Sequence, residues 1–454
     1  MIATTPVEIE LHNSSSRARK RCRWRWQKNY VEGWQPRRIQ KALYLGTAID
    51  LALKAYYYEG SRQQTYDNLP EGVRQTWPAP GEAPFRDLDA AELAASTAME
   101  EFFEKALQLP TEDEEARQVT IELARGMWTM YTASRRDMPD EFEVLCVGRQ
   151  FQGLIHAYQG PLAQGSTIPF YYAGEFDGII LMNGVVYLLE NKTSSQVANL
   201  INSLERDEQA SRYHLAVSKM VAAGALEYLG IHRDTPVWGT LFNIIWKRAP
   251  ANGPRINKPL RNVGTLISKQ SVNCHVNDYV AAVAEHRPYV WELPTPPTGR
   301  GRIKPTYVVL EAVDLGPYGI IAPMLEAPNE ALETEWKEQH VPELLRLRDL
   351  PWVRRVEVDR NQYTLALVQN QLIVEMEEEL DLRLNPYKIY RNPTFECARD
   401  CSFMEPCNAD LQGQPIQSML EEFFVRKGEE QQAPVLLELI ENDNFDMDDL
   451  GAEF

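Results

Sequence analysis

The sequence has no run approaching the roughly 18 consecutive apolar residues that a membrane-spanning helix needs, so no span is expected. Residues 1–16 lack the apolar core of a secretory signal, and a cytoplasmic location is the expectation. Cysteine is scarce. Six in 454 residues are too few for a disulfide scaffold. No internal repeat is visible, which sets aside repeat architectures. A general excess of positive charge is also missing. With 47 Lys+Arg against 65 Asp+Glu the net charge is −18, which argues against a protein that coats nucleic acid nonspecifically. What is present is a composition that can fold: 44% hydrophobic and 10% aromatic residues support a sizeable core, in one large elaborated domain or two to three ordinary ones.

The distribution of charge says more than its sum. Residues 428–454 hold nine acidic and no basic residues, half of the net charge. Residues 17–41 hold ten Lys/Arg against the single acid Glu32, a local patch compatible with phosphate binding. The cysteines are uneven too. Cys397, Cys401 and Cys407 lie within eleven residues, and clustered cysteines in a reducing compartment more often bind metal or do chemistry.

Apolar spacing predicts a helix over 39–58, a Pro-rich loop over 60–85 and two helices over 88–134. Strand-like runs follow at 141–151, 168–181, 185–193 and 237–246, with helical pattern at 205–229 between the last two. Residues 247–270 read as a basic loop. Helices are expected near 277–286, 329–348 and 362–381, then the Cys-rich stretch, a short helix and the acidic tail. No clean linker separates domains, and the expected fold is a mixed α/β core framed by helices.

The most informative stretch is GEFDGIILMNGVVYLLENKT, residues 174–193. Asn183-Gly184 between β-like runs favours a two-residue type I′ hairpin. Met182 then pairs with Val185, Asp177 falls opposite Glu190, and Glu175 falls opposite Lys192. Alternation puts Lys192 on the face of Glu190. Facing carboxylates repel unless a cation lies between them, and hard oxygen ligands suit Mg²⁺ or Mn²⁺. A plain surface hairpin with a Glu175–Lys192 pair is the competing reading.

Asp177 followed by Glu190-Asn191-Lys192 resembles the D…(D/E)xK core of the PD-(D/E)XK nucleases. Further features are similar to the RecB-like, iron–sulfur-containing branch, which includes CRISPR-associated and phage exonucleases. Gln209-Ala-Ser-Arg-Tyr213 matches its QxxxY motif, and Gly46-Thr-Ala-Ile-Asp50-Leu-Ala-Leu53 resembles GxxxHxxL with Asp in place of the metal-binding His. Cys22 before that helix, with Cys397-x3-Cys401-x5-Cys407 near the C-terminus, resembles the branch's cluster ligands with one extra residue in the first spacing.

The resemblance implies a restriction-endonuclease-like mixed sheet flanked by helices, with a helical insertion and a C-terminal region stapled by a [4Fe-4S] cluster. The implied segments are 1–38 (basic, first cluster Cys), 39–140 (helical), 141–290 (nuclease core), 291–412 (helical, Cys triplet) and 413–454 (short helix and tail). Asp177, Glu190, Asp50 and the Asn191 carbonyl would hold Mg²⁺ or Mn²⁺, Lys192 would assist catalysis, and Gln209 and Tyr213 would contact DNA. The implied activity is exonuclease action on single-stranded DNA in recombination, repair or phage DNA metabolism. A catalytically silent DNA-binding subunit, an RNA-directed nuclease and a zinc-stabilised interaction protein are the alternatives, since four thiolates also suit zinc.

Other residues read two ways. Trp24 and Trp26 interleave with Arg21, Arg23 and Arg25, a pattern that suits single-stranded DNA or, for the tryptophans, packing around a cluster. Cys146 reads as core and Cys274-His275 as a loop pair. Lys247, Arg248, Arg255, Lys258 and Arg261 form a substrate rim or a solvated loop. The tail, with Phe445, Met447, Leu450 and Phe454 among its acids, is either a solvating segment or a docking peptide for a helicase, recombinase or single-strand-binding partner.

Overall fold

A computed structural model describes residues 8–37, 41–74, 87–107, 114–247, 353–394 and 401–427, together with Cys397 and short strand segments between 255 and 326. The helices expected near 277–286 and 329–348, Cys274-His275, most of the basic 247–261 stretch and the acidic tail lie outside the described residues.

Six strands form one mixed sheet: β1 (Ile9–Leu11), β2 (Glu143–Tyr158), β3 (Ile168–Met182), β4 (Val185–Ser194), β5 (Val237–Trp246) and β6 (Val353–Asp359). Their order is β1-β3-β4-β5-β6, with β2 paired along the other edge of β3. The β1–β3 and β4–β5 pairings are parallel and the others antiparallel. The parallel step from β4 to β5 requires a crossover, and helix α5 (Glu208–Ala223) supplies it. Asp207 caps α5 by accepting from the Ala210 N–H at 2.9 Å, and Gly224 ends it at φ +81°, which suits glycine.

Helices cover both faces. On one, α2 (Lys41–Tyr58), α3 (Leu88–Leu107) and α4 (Glu114–Asp137) bury Leu45, Ile49, Phe102 and Met127 against Ile180, Leu189, Leu241 and Ile245 of the sheet. On the other, α5 and α6 (Gln362–Leu384) bury Val217, Met220, Leu372 and Met376 against Phe176, Ile179 and Leu188. Being covered on both sides, β5 reads as the continuous apolar run VWGTLFNIIW.

The sequence-based elements hold for α2, α3, α4, α5, α6 and strands β2 to β5. The expected loop at 60–85 is corrected: short helices occupy Arg62–Asp67 and Glu71–Arg74, the first capped by Ser61, which accepts from the Gln64 N–H at 3.0 Å. Helix α1 (Asn13–Arg21) and strands β1 and β6 had no clear signal. β6 is VRRVEVD, whose charges mask its period. α1 is NSSSRARKR, a polar segment that depends on tertiary contacts to be a helix.

Those contacts are ionic and buried. Arg19, 2% exposed, lies 2.5 Å from Glu379, which is fully buried on α6. Arg212 of α5 reaches Glu375 of α6 at 2.7 Å and Ser16 of α1 at 3.2 Å, and Ser16 donates to Glu375. The network ties α1, α5 and α6 together. Removing one member strands a buried charge, so Arg19→Ala should lower the unfolding free energy by about 3–5 kcal/mol. Urea denaturation of Arg19→Ala beside Arg19→Met/Glu379→Leu checks this. The double variant, with no charge left unpaired at these two positions, should regain most of the loss.

Candidate active site

The hairpin turns at Asn183 and Gly184 with φ +53° and +79°, both positive as type I′ requires, and Met182 pairs with Val185 as expected. The register runs as predicted down to Gly178↔Leu189 and ends there. Beyond that point β4 continues along β5, while β3 is taken up by β1 at Phe170–Tyr172. β2 holds the opposite edge of β3, so residues 173–177 lie in a fork between β1 and β4.

Asp177 sits in this fork, half-buried, with Oδ2 accepting from the Asn191 N–H at 2.7 Å. Glu190 is 1% exposed, and its Oε2 has no hydrogen-bond partner. Burial, followed by repulsion from Glu190 and Asp50, holds the Asp177 carboxyl well above the usual range. Burial also raises Glu190, with Asp207 and Asp50 adding to the shift while Lys192 opposes it. Buried, mutually repelling carboxylates with an orphaned oxygen suit a hard divalent cation. Among the described residues, however, no three His, Cys, Asp or Glu groups are gathered closely enough to hold a metal as they stand.

Two lysines balance the charge. Lys192 Nζ lies 2.7 Å from Glu190 Oε1, as alternation predicts. Burial alone would lower its pKa, but Glu190 and Asp207 outweigh that and keep it protonated. The Glu175–Lys192 pair that strict register continuation gives is not formed, because the strands have already separated. Glu175 is instead 2.5 Å from Lys54 of α2, which also reaches Asp50 at 3.0 Å. Lys54 was not identified from sequence. Its signal is its place four residues after Asp50, one helical turn away on the same face.

On α5, Tyr213 is 7% exposed and packs edge-on against Phe151 and Phe176. Burial, then the Glu190 charge, pushes its hydroxyl to about 12. Gln209, half-buried, accepts from Arg17 at 3.4 Å. Tyr213 therefore stands near the carboxylates with its ring seated in the core, while Gln209 lies toward Arg17 of α1.

The cysteines come together from opposite ends of the chain. Cys22, Cys401 and Cys407 pack around a small cluster of Trp24, Trp34, Phe403, Leu420 and Phe424. Cys397 is close enough that its thiol affects Cys401. Burial, with neighbouring thiols adding to it, raises Cys401 and Cys407. A ribbon of Trp34–Pro36 with Phe424–Arg426 closes this end. Trp24 and Trp26, 7% and 0% exposed, are packing residues, which decides the open reading of the basic-aromatic segment. Arg23 is tied to Glu378 at 2.6 Å and lies over the Tyr390 ring, while Arg21 directly precedes Cys22 and Arg25 follows it by three residues. Cys146 is fully buried in the core, as expected.

A family model described as the PD-(D/E)XK nuclease superfamily matches residues 14–408. The chain belongs to this superfamily. Its members are typically metal-dependent nucleases that use Mg²⁺ or Mn²⁺, and the mixed sheet flanked by helices agrees with a restriction-endonuclease-like fold. No curated protein matches the chain.

The raised carboxylates have a thermodynamic sign. A carboxyl whose pKa is higher folded than unfolded opposes folding once it is ionised, and this penalty grows as pH rises from the ordinary carboxylate range, near 4, toward the folded value. Asp177→Asn, which keeps the acceptor for the Asn191 N–H, should therefore stabilise the metal-free protein by ~1 kcal/mol or more at pH 7. The gain should vanish near pH 4, and Mg²⁺ should stabilise the wild type more than the variant. Urea midpoints across pH, with and without Mg²⁺, measure both effects.

Proposed function

We propose that the chain is a metal-dependent deoxyribonuclease that degrades single-stranded DNA from its ends, in recombination, repair or phage DNA metabolism. The observation that carries the reading is half-buried Asp177 repelled by buried Glu190, with Glu190 Oε2 unpartnered and the Lys192 ammonium beside it. Asp177 and Glu190, with Asp50 and the Asn191 carbonyl, would hold Mg²⁺ or Mn²⁺. Such an ion, when bound, lowers the pKa of water and neutralises charge on a phosphate in transfer.

The protein groups divide the remaining work. Lys192 stays protonated at neutral pH, so it donates hydrogen bonds and positive charge to the attacked phosphate instead of accepting a proton. Glu190 holds that ammonium in place. Lys54 offsets one of the two negative charges of Asp50 and Glu175, which limits the net negative charge that an approaching phosphate meets. Gln209 and Tyr213 would position DNA beside the carboxylates, with Arg21, Arg23 and Arg25 contacting phosphates toward the cysteine end. The acidic tail would dock a helicase, recombinase or single-strand-binding partner.

Cys22, Cys397, Cys401 and Cys407 are proposed to ligate a [4Fe-4S] cluster. Cys22, Cys401 and Cys407 pack around one aromatic cluster and Cys397 acts on Cys401, and four thiolates are the donor set that such a cluster needs. Cys22 and Cys397 are 397 − 22 = 375 residues apart, so joint ligation would constrain a very long loop of the unfolded chain.

The activity is tested on end-labelled linear and circular single-stranded DNA with Mg²⁺ or Mn²⁺, using anaerobically purified protein. Metal-dependent loss of linear DNA only is expected, with Lys192→Ala slower by about 10²–10⁴-fold, the range for removing a positioned catalytic group. Absence of cleavage by cluster-loaded wild type would sink the reading. Iron content and visible absorption test the cluster: wild type should carry iron and Cys401→Ala should lose it. Zinc in place of iron would refute the assignment.

A further inference from the structure

Glu190, Asn191 and Lys192 are consecutive on β4, so the Asn191 side chain points to the sheet face opposite the two catalytic groups. That face is covered by α2 and α4 and is otherwise apolar around Leu189, Leu241, Ile245 and Val353. In it, Asn191 pairs in register with Asn243 of β5, and Asn243 with Arg355 of β6, making one polar row across three strands.

The row is connected. Asn243, fully buried, donates to Asn191 Oδ1 at 2.9 Å and to the Tyr131 hydroxyl at 3.1 Å. Tyr131 shares a hydrogen bond with Tyr57, Arg355 donates to Tyr57 at 2.8 Å, and Arg355 pairs with Asp140 at 2.6 Å. At the other end the Asn191 N–H donates to Asp177 at 2.7 Å. An unbroken chain of polar contacts therefore runs from Asp140, through the apolar face, to the peptide between the catalytic residues.

Buried polar groups in an apolar layer cost stability unless every bond is made, so their presence asks for a role that leucine or valine could not fill. We infer that Asn243 is a positioning residue for the nuclease site: by clamping the Asn191 side chain from behind the sheet, it fixes the orientation of the Asn191 peptide and thereby the placement of Asp177, Glu190 and the Asn191 carbonyl. The inference rests on the nuclease reading above. Asn243 acts through Asn191, and Tyr131, Tyr57, Arg355 and Asp140 brace Asn243.

The test measures Mn²⁺ binding by titration calorimetry and steady-state cleavage of linear single-stranded DNA. It compares wild type, Asn243→Leu, Asn191→Leu and the double variant, each checked for folding by its melting curve. Asn243→Leu should bind Mn²⁺ about 10–100-fold more weakly and lose kcat by a similar factor, with KM for DNA within about twofold, the range seen when a group that orients a metal ligand is removed. The double variant should be no worse than Asn191→Leu alone, because the effect passes through Asn191. Wild-type Mn²⁺ affinity in folded Asn243→Leu, or losses that multiply in the double variant, would overturn the inference and leave the nuclease reading standing. A wild type that neither binds Mn²⁺ nor cleaves would remove both. Should Asn243→Leu not fold, Tyr131→Phe, which removes only the hydroxyl bracing Asn243, should still weaken Mn²⁺ binding about threefold, an order-of-magnitude expectation below the same range. An unchanged affinity there would equally overturn the inference.

Discussion

The parting of β3 from β4 at Gly178 and Leu189 is the constraint on which the rest of the molecule turns. A hairpin that stayed paired would bring Asp177 and Glu190 side by side on a flat sheet, with Glu175 bound to Lys192. Because β3 is claimed by β1 on the same edge, the two strands diverge. The fork leaves Asp177 facing the Asn191 peptide and Glu190 buried with one oxygen unpartnered. It also releases Lys192 to Glu190, and leaves Glu175 to Lys54 of a helix far away in sequence. The placement of these four side chains follows from a local end of sheet pairing.

Such a fork is costly. Carboxylates are withdrawn from water and held near one another, and the surrounding structure has to compensate. Three reinforcements are visible. Lys192 and Lys54 supply positive charge from two sides. The buried ion network of Arg19, Arg212, Glu375 and Glu379 binds α1, α5 and α6 behind the site. The polar row from Asp140 to Asn191 braces the catalytic strand from the opposite face. Each links polar or charged groups to one another within apolar surroundings, which is how a packed interior holds such groups in one arrangement.

Segments nearly 400 residues apart in sequence, Trp34–Pro36 and Phe424–Arg426, meet near the cysteines. The strand pairing of Trp34–Pro36 with Phe424–Arg426 and the shared aromatic cluster bring Cys22 beside Cys401 and Cys407. Trp24 and Trp26 belong to this packing, and Arg23 to an ion pair with Glu378. The basic segment thus contributes to folding.

Much of this was determined by sequence alone, where the signal is local. Asn183-Gly184 set the turn, and alternation set which residues of β3 and β4 pair as far as Gly178 and Leu189. Alternation also put Lys192 with Glu190, and 3.6-residue periodicity set α2, α3, α4 and α6. The order of Asp50, Asp177, Glu190-Asn191-Lys192 and Gln209…Tyr213 along these elements pointed to the superfamily. Tertiary structure decided whatever depends on partners distant in sequence. α1 is helical because Arg19 and Ser16 find acids on α6, more than 350 residues later. β1 and β6 exist because neighbouring strands offer them edges. Glu175 pairs with Lys54 because β1 competes with β4 for one edge of β3. Asn243 matters because three strands align it with Asn191 and Arg355, and a lone Asn in an apolar run says nothing of which polar groups will meet it. Local geometry is written in spacing, whereas the choice among competing partners is made only when the whole chain packs.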